Sequence, residues 1–151
     1  MPMIPRHIHK VVEWHLRNAN CIRANAFAEA EALRQKAETQ SPAPEVPIKG
    51  KGGHGDQVAR KAQLLAEADK ILRDAPAWSA VVEETKEFYA GVPSMAEFYR
   101  LYYAIGMDFV FIAQTMGKEK TTLYNWRDRI VTHAALLAAE KGLISIQKNT
   151  D

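Results

Sequence analysis

Lys120, Thr121, Tyr124 and Asn125 fall on one side of a predicted helix, while Leu123, Trp126, Ile130, Ala134 and Leu137 recur on the other at about 100° per residue. Base-edge recognition in the DNA major groove needs such a helix. Its first turns must offer short polar groups to the bases, its other face must be buried, and flanking groups must meet phosphates. Asn125 suits a bidentate bond to adenine, and Lys120 a guanine or a phosphate. Thr122 and Arg129 are the neighbouring phosphate candidates, and Arg60 and Lys61, far upstream, are two more. Arg127 falls nearer the buried side and is expected to pair with Glu83, Glu87 or Glu97.

A reading helix needs a second helix to brace it. The stretch Asp108 to Ile130, DFVFIAQTMGKEKTTLYNWRDRI, supplies one. Counted from Phe109, Ala113 falls where two helices cross too closely for a larger side chain, and Gly117 falls at the turn, where φ must be positive. Ile112, Met116, Leu123, Trp126 and Ile130 then face inward and bury the junction. Asp108 is placed to cap the first of the two helices. The spacing therefore predicts a helix-turn-helix unit over 108–130.

The preceding chain reads as helix throughout. From His7 to about Glu38 there is no glycine or proline, and Ile8, Val11, Val12, Leu16, Ala19, Ile22, Phe27, Ala30 and Leu33 are available for a stripe, so one long helix is expected over 1–40. Its alanine-rich second half is too thin to anchor a core alone, which suits contact with another helix, including that of a second copy in a homodimer. SPAPEVPIKGKGGHG, residues 41–55, is expected to be a linker, because its prolines and glycines disfavour regular structure. It lacks the GK[ST] ending of a nucleotide loop. A helical domain over 56–146 follows: Asp56 as N-cap of a helix to about Asp74, a stop at Pro76, and a second helix from Trp78 to Ala90. A third is opened by a Ser94/Glu97 capping box and carries Phe98, Leu101, Tyr102 and Ile105 on one face. The last helix ends near Gly142, a short strand signal covers Leu143 to Ile146, and residues 147–151 are a tail. The fold class is all-α.

Charge is uneven along the chain. The net value is +2, yet residues 49–73 hold six basic against three acidic groups, and residues 74–117 hold six acidic against two basic ones. Separated charges of this kind let a nearly neutral chain present a basic surface to phosphates. Apolar runs are too short to span a bilayer, and the N-terminus lacks the apolar core of a secretory signal, so a cytoplasmic protein without membrane contact is expected. His7, His9 and His15 have no partners at ligand spacing, and Cys21 is the single cysteine, which excludes an internal disulfide. No catalytic constellation stands out. The expectation is a binding protein rather than an enzyme, with no metal and no cofactor.

With these residues in view, the chain resembles the RinA/ArpU-type transcriptional regulators of bacteriophages and prophages. The likeness covers most of its length: the opening IPRHIHKVVEWHL, the Pro/Gly break, GHGDQVARKAQLL, and the C-terminal IAQTMGKEKTTLYNWRDRI, which is similar to region 4 of a sigma factor. Asp56, Ala59, Arg60, Lys61 and Ala62 match one family motif; Tyr124, Trp126 and Arg127 match another. Lys118, Glu119 and Gln57 depart from it, Glu119 standing where a serine or threonine would cap the recognition helix. The resemblance implies a phage-encoded activator of late genes that binds double-stranded DNA and acts with host RNA polymerase. Two other readings are compatible with the residues: a small terminase subunit that binds DNA for packaging, and a helical adaptor or antirepressor that binds only protein.

Overall fold

A computed structural model describes residues 4–39 and 53–146. The described chain is all-α, with no strand, including over Leu143–Ile146. Its helices are α1 (Arg6–Arg17), α2 (Ile22–Thr39), α3 (Gly53–Ala90), α4 (Pro93–Tyr99), α5 (Phe109–Met116) and α6 (Lys120–Glu140). No helix among the described residues is long and apolar enough to cross a membrane.

Two compact units share these helices. One comprises residues 1–22 with 77–151, and the other residues 23–76. The expected single N-terminal helix is broken within the first of them, just before the second begins at Arg23. Asn18 leaves the helical region at φ −113°, ψ 32°, and both its backbone N–H (2.9 Å) and its side-chain Nδ2 (2.7 Å) donate to the carbonyl of Trp14. A single 3₁₀ turn, Ala19–Cys21, follows before α2 begins. Asparagine ends the helix because its side chain competes for backbone groups, a local effect that apolar periodicity does not register.

Elsewhere helix is gained. Asp56 lies inside the first turn of α3 rather than at its cap, where its charge still favours the helix N-terminus. The two helices expected on either side of Pro76 are one, with the proline inside. Proline there donates no bond to the carbonyl of Leu72, so α3 lacks one rung at the boundary between the units. Of the expected linker, residues 41–52 lie outside the described residues, and Gly53 to Gly55 belong to α3.

The larger unit has a continuous core. Ile8, Val12 and Leu16 of α1, Trp78, Val81, Val82 and Thr85 of α3, Phe98 of α4, and Leu123, Ile130, Val131, Ala134, Ala135 and Ala138 of α6 are all buried. The Thr85 hydroxyl is satisfied by the Val81 carbonyl at 2.8 Å. α4 starts at Pro93, with Val92 as cap and no side-chain bond, so Ser94 and Glu97 make no capping box; Glu97 instead holds Arg100 at 2.7 Å. A wider π-type turn over Arg100–Ile105 continues α4. It buries Leu101, Tyr102 and Tyr103 together and turns Ile105 outward, against the face predicted from 3.6-residue spacing. Gly106, at φ 87°, closes it.

His15 stacks on Trp78 with ring centroids 3.7 Å apart, and its Nδ1–H donates to the Val11 carbonyl at 2.8 Å. Burial lowers its pKa below the ordinary 6.5, the bond to Val11 opposing only in part. Burial lowers that of His133 as well. Both are therefore protonated more readily in the unfolded chain. Their contribution is complete above about pH 6.5 and is lost as pH falls through the folded values. Thermal melts are expected to show a falling midpoint on acidification below that pH, with a shallower slope in His15→Phe, which keeps the stack on Trp78 without a titrating group. An equal slope in the variant would contradict the assignment.

Candidate nucleic-acid interface

α5 is short and well terminated at both ends. The Asp108 carboxylate accepts the Phe111 N–H at 3.0 Å, as its capping position predicts. At the other end Gly117 takes φ 65°, ψ 35°, and the Lys118 N–H donates to the Ala113 carbonyl at 3.1 Å. This is the bond pattern of a helix closed by a left-handed glycine. Three residues, Gly117 to Glu119, separate α5 from α6. Beyond its own chain neighbours, no atom lies within 4 Å of where a Gly117 Cβ would stand, so a side chain there costs backbone strain alone. Gly117→Ala is expected to lower stability by about 1–2 kcal/mol in urea titrations, with a smaller loss for Gly117→Asn. Equal stability of Gly117→Ala and the parent would show that the turn is not held left-handed.

Packing behind the turn follows the predicted inward set in graded fashion. Ile112, Leu123 and Ile130 are fully buried, whereas Ala113, Met116 and Trp126 are partly covered. Phe98 of α4 reaches between them, 5.9 Å from Trp126 edge to face and 6.1 Å from Phe109. Leu137 is only half-buried; the buried row of α6 runs instead through Val131, Ala135 and Ala138 beside Ile130 and Ala134.

On the other side of α6, Lys120, Thr121, Tyr124 and Asn125 are all exposed. Glu119 occupies the N-cap with no side-chain bond to the helix, so the first N–H groups of α6 are left open. Thr122 is half-buried, and Arg129 is exposed with its backbone carbonyl accepting from the Tyr89 hydroxyl at 3.2 Å. Arg60 and Lys61 are exposed on α3, in the other unit. Two acids share the exposed side of α6. They are Glu119 and Asp128, the latter 3.7 Å from His9 Nε2 and 3.9 Å from Arg127 Nε.

Arg127 does not meet Glu83, Glu87 or Glu97. Glu97 is taken by Arg100 at 2.7 Å, and Glu83 and Glu87 are exposed. α1 packs against α6 instead and brings in Glu13, whose carboxylate accepts from the Tyr102 hydroxyl at 2.9 Å, from Tyr103 at 3.4 Å and from Arg17 at 3.4 Å. Arg17 also donates to the Tyr102 hydroxyl and lies over its ring at 4.4 Å. Burial disfavours the charge on Arg127, yet Tyr102, Glu13 and Asp128 outweigh it and hold the guanidinium charged. Burial, reinforced by Glu13, raises the pKa of Tyr102 and Tyr103, so both stay protonated as donors.

This polar cluster braces the exposed side of α6. The Arg127 guanidinium lies over the Phe109 ring at 5.5 Å and the Tyr124 ring at 5.1 Å, and the two rings meet edge to face at 4.5 Å. Tyr124 is thus held from behind while 44% of it stays exposed. Sequence reasoning missed Glu13, Arg17 and Tyr102 as supports. The four-residue spacing of Glu13 and Arg17 marks a helical ion pair, but nothing in it says that two tyrosines some 90 positions away close over the carboxylate. Comparison with protein-family models, with curated proteins and with solved structures finds no match for this chain.

Proposed function

We propose that this protein is a sequence-specific DNA-binding transcriptional regulator, a binding protein rather than an enzyme, that reads double-stranded DNA with the N-terminal half of α6. One observation carries the reading. A short capped helix ends at a left-handed glycine, and the next helix exposes Lys120, Thr121, Tyr124 and Asn125 while burying Leu123 and Ile130. In this reading α6 lies in the major groove, Asn125 and Thr121 meet base edges, and Tyr124 is held ready by Phe109 and Arg127. Arg129 and Lys120 neutralise phosphates, with Thr122 a minor contact and Arg60 and Lys61 a separate basic surface.

The likeness of IAQTMGKEKTTLYNWRDRI to sigma region 4 extends the proposal: a RinA/ArpU-type activator of phage or prophage late genes, working beside host RNA polymerase in the bacterial cytoplasm. Selection of bound fragments from the genome that encodes the protein, followed by anisotropy titrations across salt, is the test. Enrichment upstream of late genes and a binding constant that falls steeply with salt are expected. Enrichment at a packaging start would favour the terminase reading, and absence of DNA binding at low salt would favour the protein adaptor.

A further inference from the structure

Among the described residues, the smaller unit, residues 23–76, has no large side chain fully buried. Its buried residues are Ala26, Ala30 and Ala37 of α2 and Ala68 and Ala75 of α3, with Leu33, Leu64, Ile71 and Leu72 only half-covered along the same seam. Two helices joined through alanine approach closely but remove little apolar surface from water, and a unit this small ordinarily needs a further partner to hold its shape.

Its exposed large apolar residues are not scattered. Among the described residues they are Phe27 (61% exposed), Val58 (63%) and Leu65 (37%), and all three lie along one edge. The ion pair between Arg34 Nη2 and Asp69 Oδ1, at 3.3 Å, marks that edge on both helices. Phe27 precedes Arg34 by seven residues, two turns of α2; Leu65 and Val58 precede Asp69 by four and eleven, one and three turns of α3. The half-covered Leu72 falls in the same row, seven residues after Leu65. The opposite edge, which carries Ala32, Lys36, Gln63 and Lys70, has no such residue among those described.

Charge along this edge says what covers it. Arg23, Arg34 and Lys61 alternate with Glu31, Glu38 and Asp69 at helical spacing around the apolar row. A nucleic acid or an anionic membrane would select a single sign. A balanced edge is complementary to itself, which is the requirement for a two-fold contact between identical surfaces. We propose that the Phe27–Leu65–Val58 edge is the dimer interface of this protein, and that α2 and the first half of α3 from two copies form a four-helix bundle whose interior these residues complete.

The contact is independent of DNA and is tested without it. Analytical ultracentrifugation of the full chain at micromolar concentration is expected to give twice the 17.0 kDa chain mass. Phe27→Lys with Leu65→Lys is expected to return it to one chain mass, while Ala32→Lys with Gln63→Lys, on the opposite edge, leaves the dimer. Circular dichroism checks folding. Should the double variant lose helix, Phe27→Lys alone, at a position already mostly exposed, decides by raising the dimer dissociation constant at least tenfold. A parent mass of one chain, a mass above two chains, or a dimer indifferent to Phe27→Lys each overturns the proposal.

Discussion

Replacing Thr121, Tyr124 and Asn125 together with alanine is expected to erase sequence preference while leaving non-specific DNA binding in place. A good base contact discriminates by about 1–3 kcal/mol, so losing even two lowers affinity for a selected site by roughly 30-fold to 10⁴-fold. The residues are exposed, and the buried face of α6 is untouched, so helix content should not change. Tyr124→Phe separates two roles of one side chain: the ring keeps its contacts with Phe109 and Arg127 but the hydroxyl is gone. Lys120→Ala and Arg129→Ala should behave differently, weakening all sequences alike and each reducing the salt dependence by about one phosphate contact. Anisotropy titrations on selected and scrambled duplexes read both effects. An unchanged ratio of specific to non-specific affinity in the triple variant would remove α6 as the reading element.

Phe98→Ala is expected to be the most damaging single substitution for stability. Phe98 is fully buried and packs against three rings, Tyr102 at 5.5 Å, Trp126 at 5.9 Å and Phe109 at 6.1 Å, the last of which meets the Tyr124 ring in turn. Truncating a buried phenylalanine costs about 3–5 kcal/mol, the cavity adding to the lost transfer energy. That is a large part of the stability of an ordinary domain. Because Phe98 sits behind the α5 to α6 turn, the loss should also loosen Tyr124. Phe98→Leu, which keeps much of the volume, should lose distinctly less. Denaturant midpoints and near-ultraviolet circular dichroism of the aromatic cluster check this. A Phe98→Ala variant within 1 kcal/mol of the parent would show that the junction is held by the backbone turns rather than by the aromatic wedge.

Much of the junction between α5 and α6 was legible in the residues, because its determinants are local. A left-handed turn needs Gly117, an N-cap needs a group such as Asp108, and an amphipathic helix advertises its buried face every three or four positions; each is decided within a few residues and each is found where the spacing puts it. The exposure of Lys120, Thr121, Tyr124 and Asn125 follows from the same periodicity. Local competition explains one failure of the reading, and tertiary packing another. Asn18 breaks the N-terminal helix with its own side chain, and Pro76 does not end α3, since packing on both sides of it outweighs one missing backbone bond.

What the sequence by itself determined is therefore the helical class, the left-handed turn and the two faces of α6. What only the tertiary structure decided is which distant groups stand behind them. Glu13 and Tyr102 are 89 positions apart, and Arg127 meets them because α1 lies on α6 rather than extending away from it. The wide turn over Arg100–Ile105 likewise buries three successive residues that no single helical face would hold together. Pairings of this range depend on which surfaces find each other after the helices form. A helix records in its own residues which side is apolar, but not which partner will cover it.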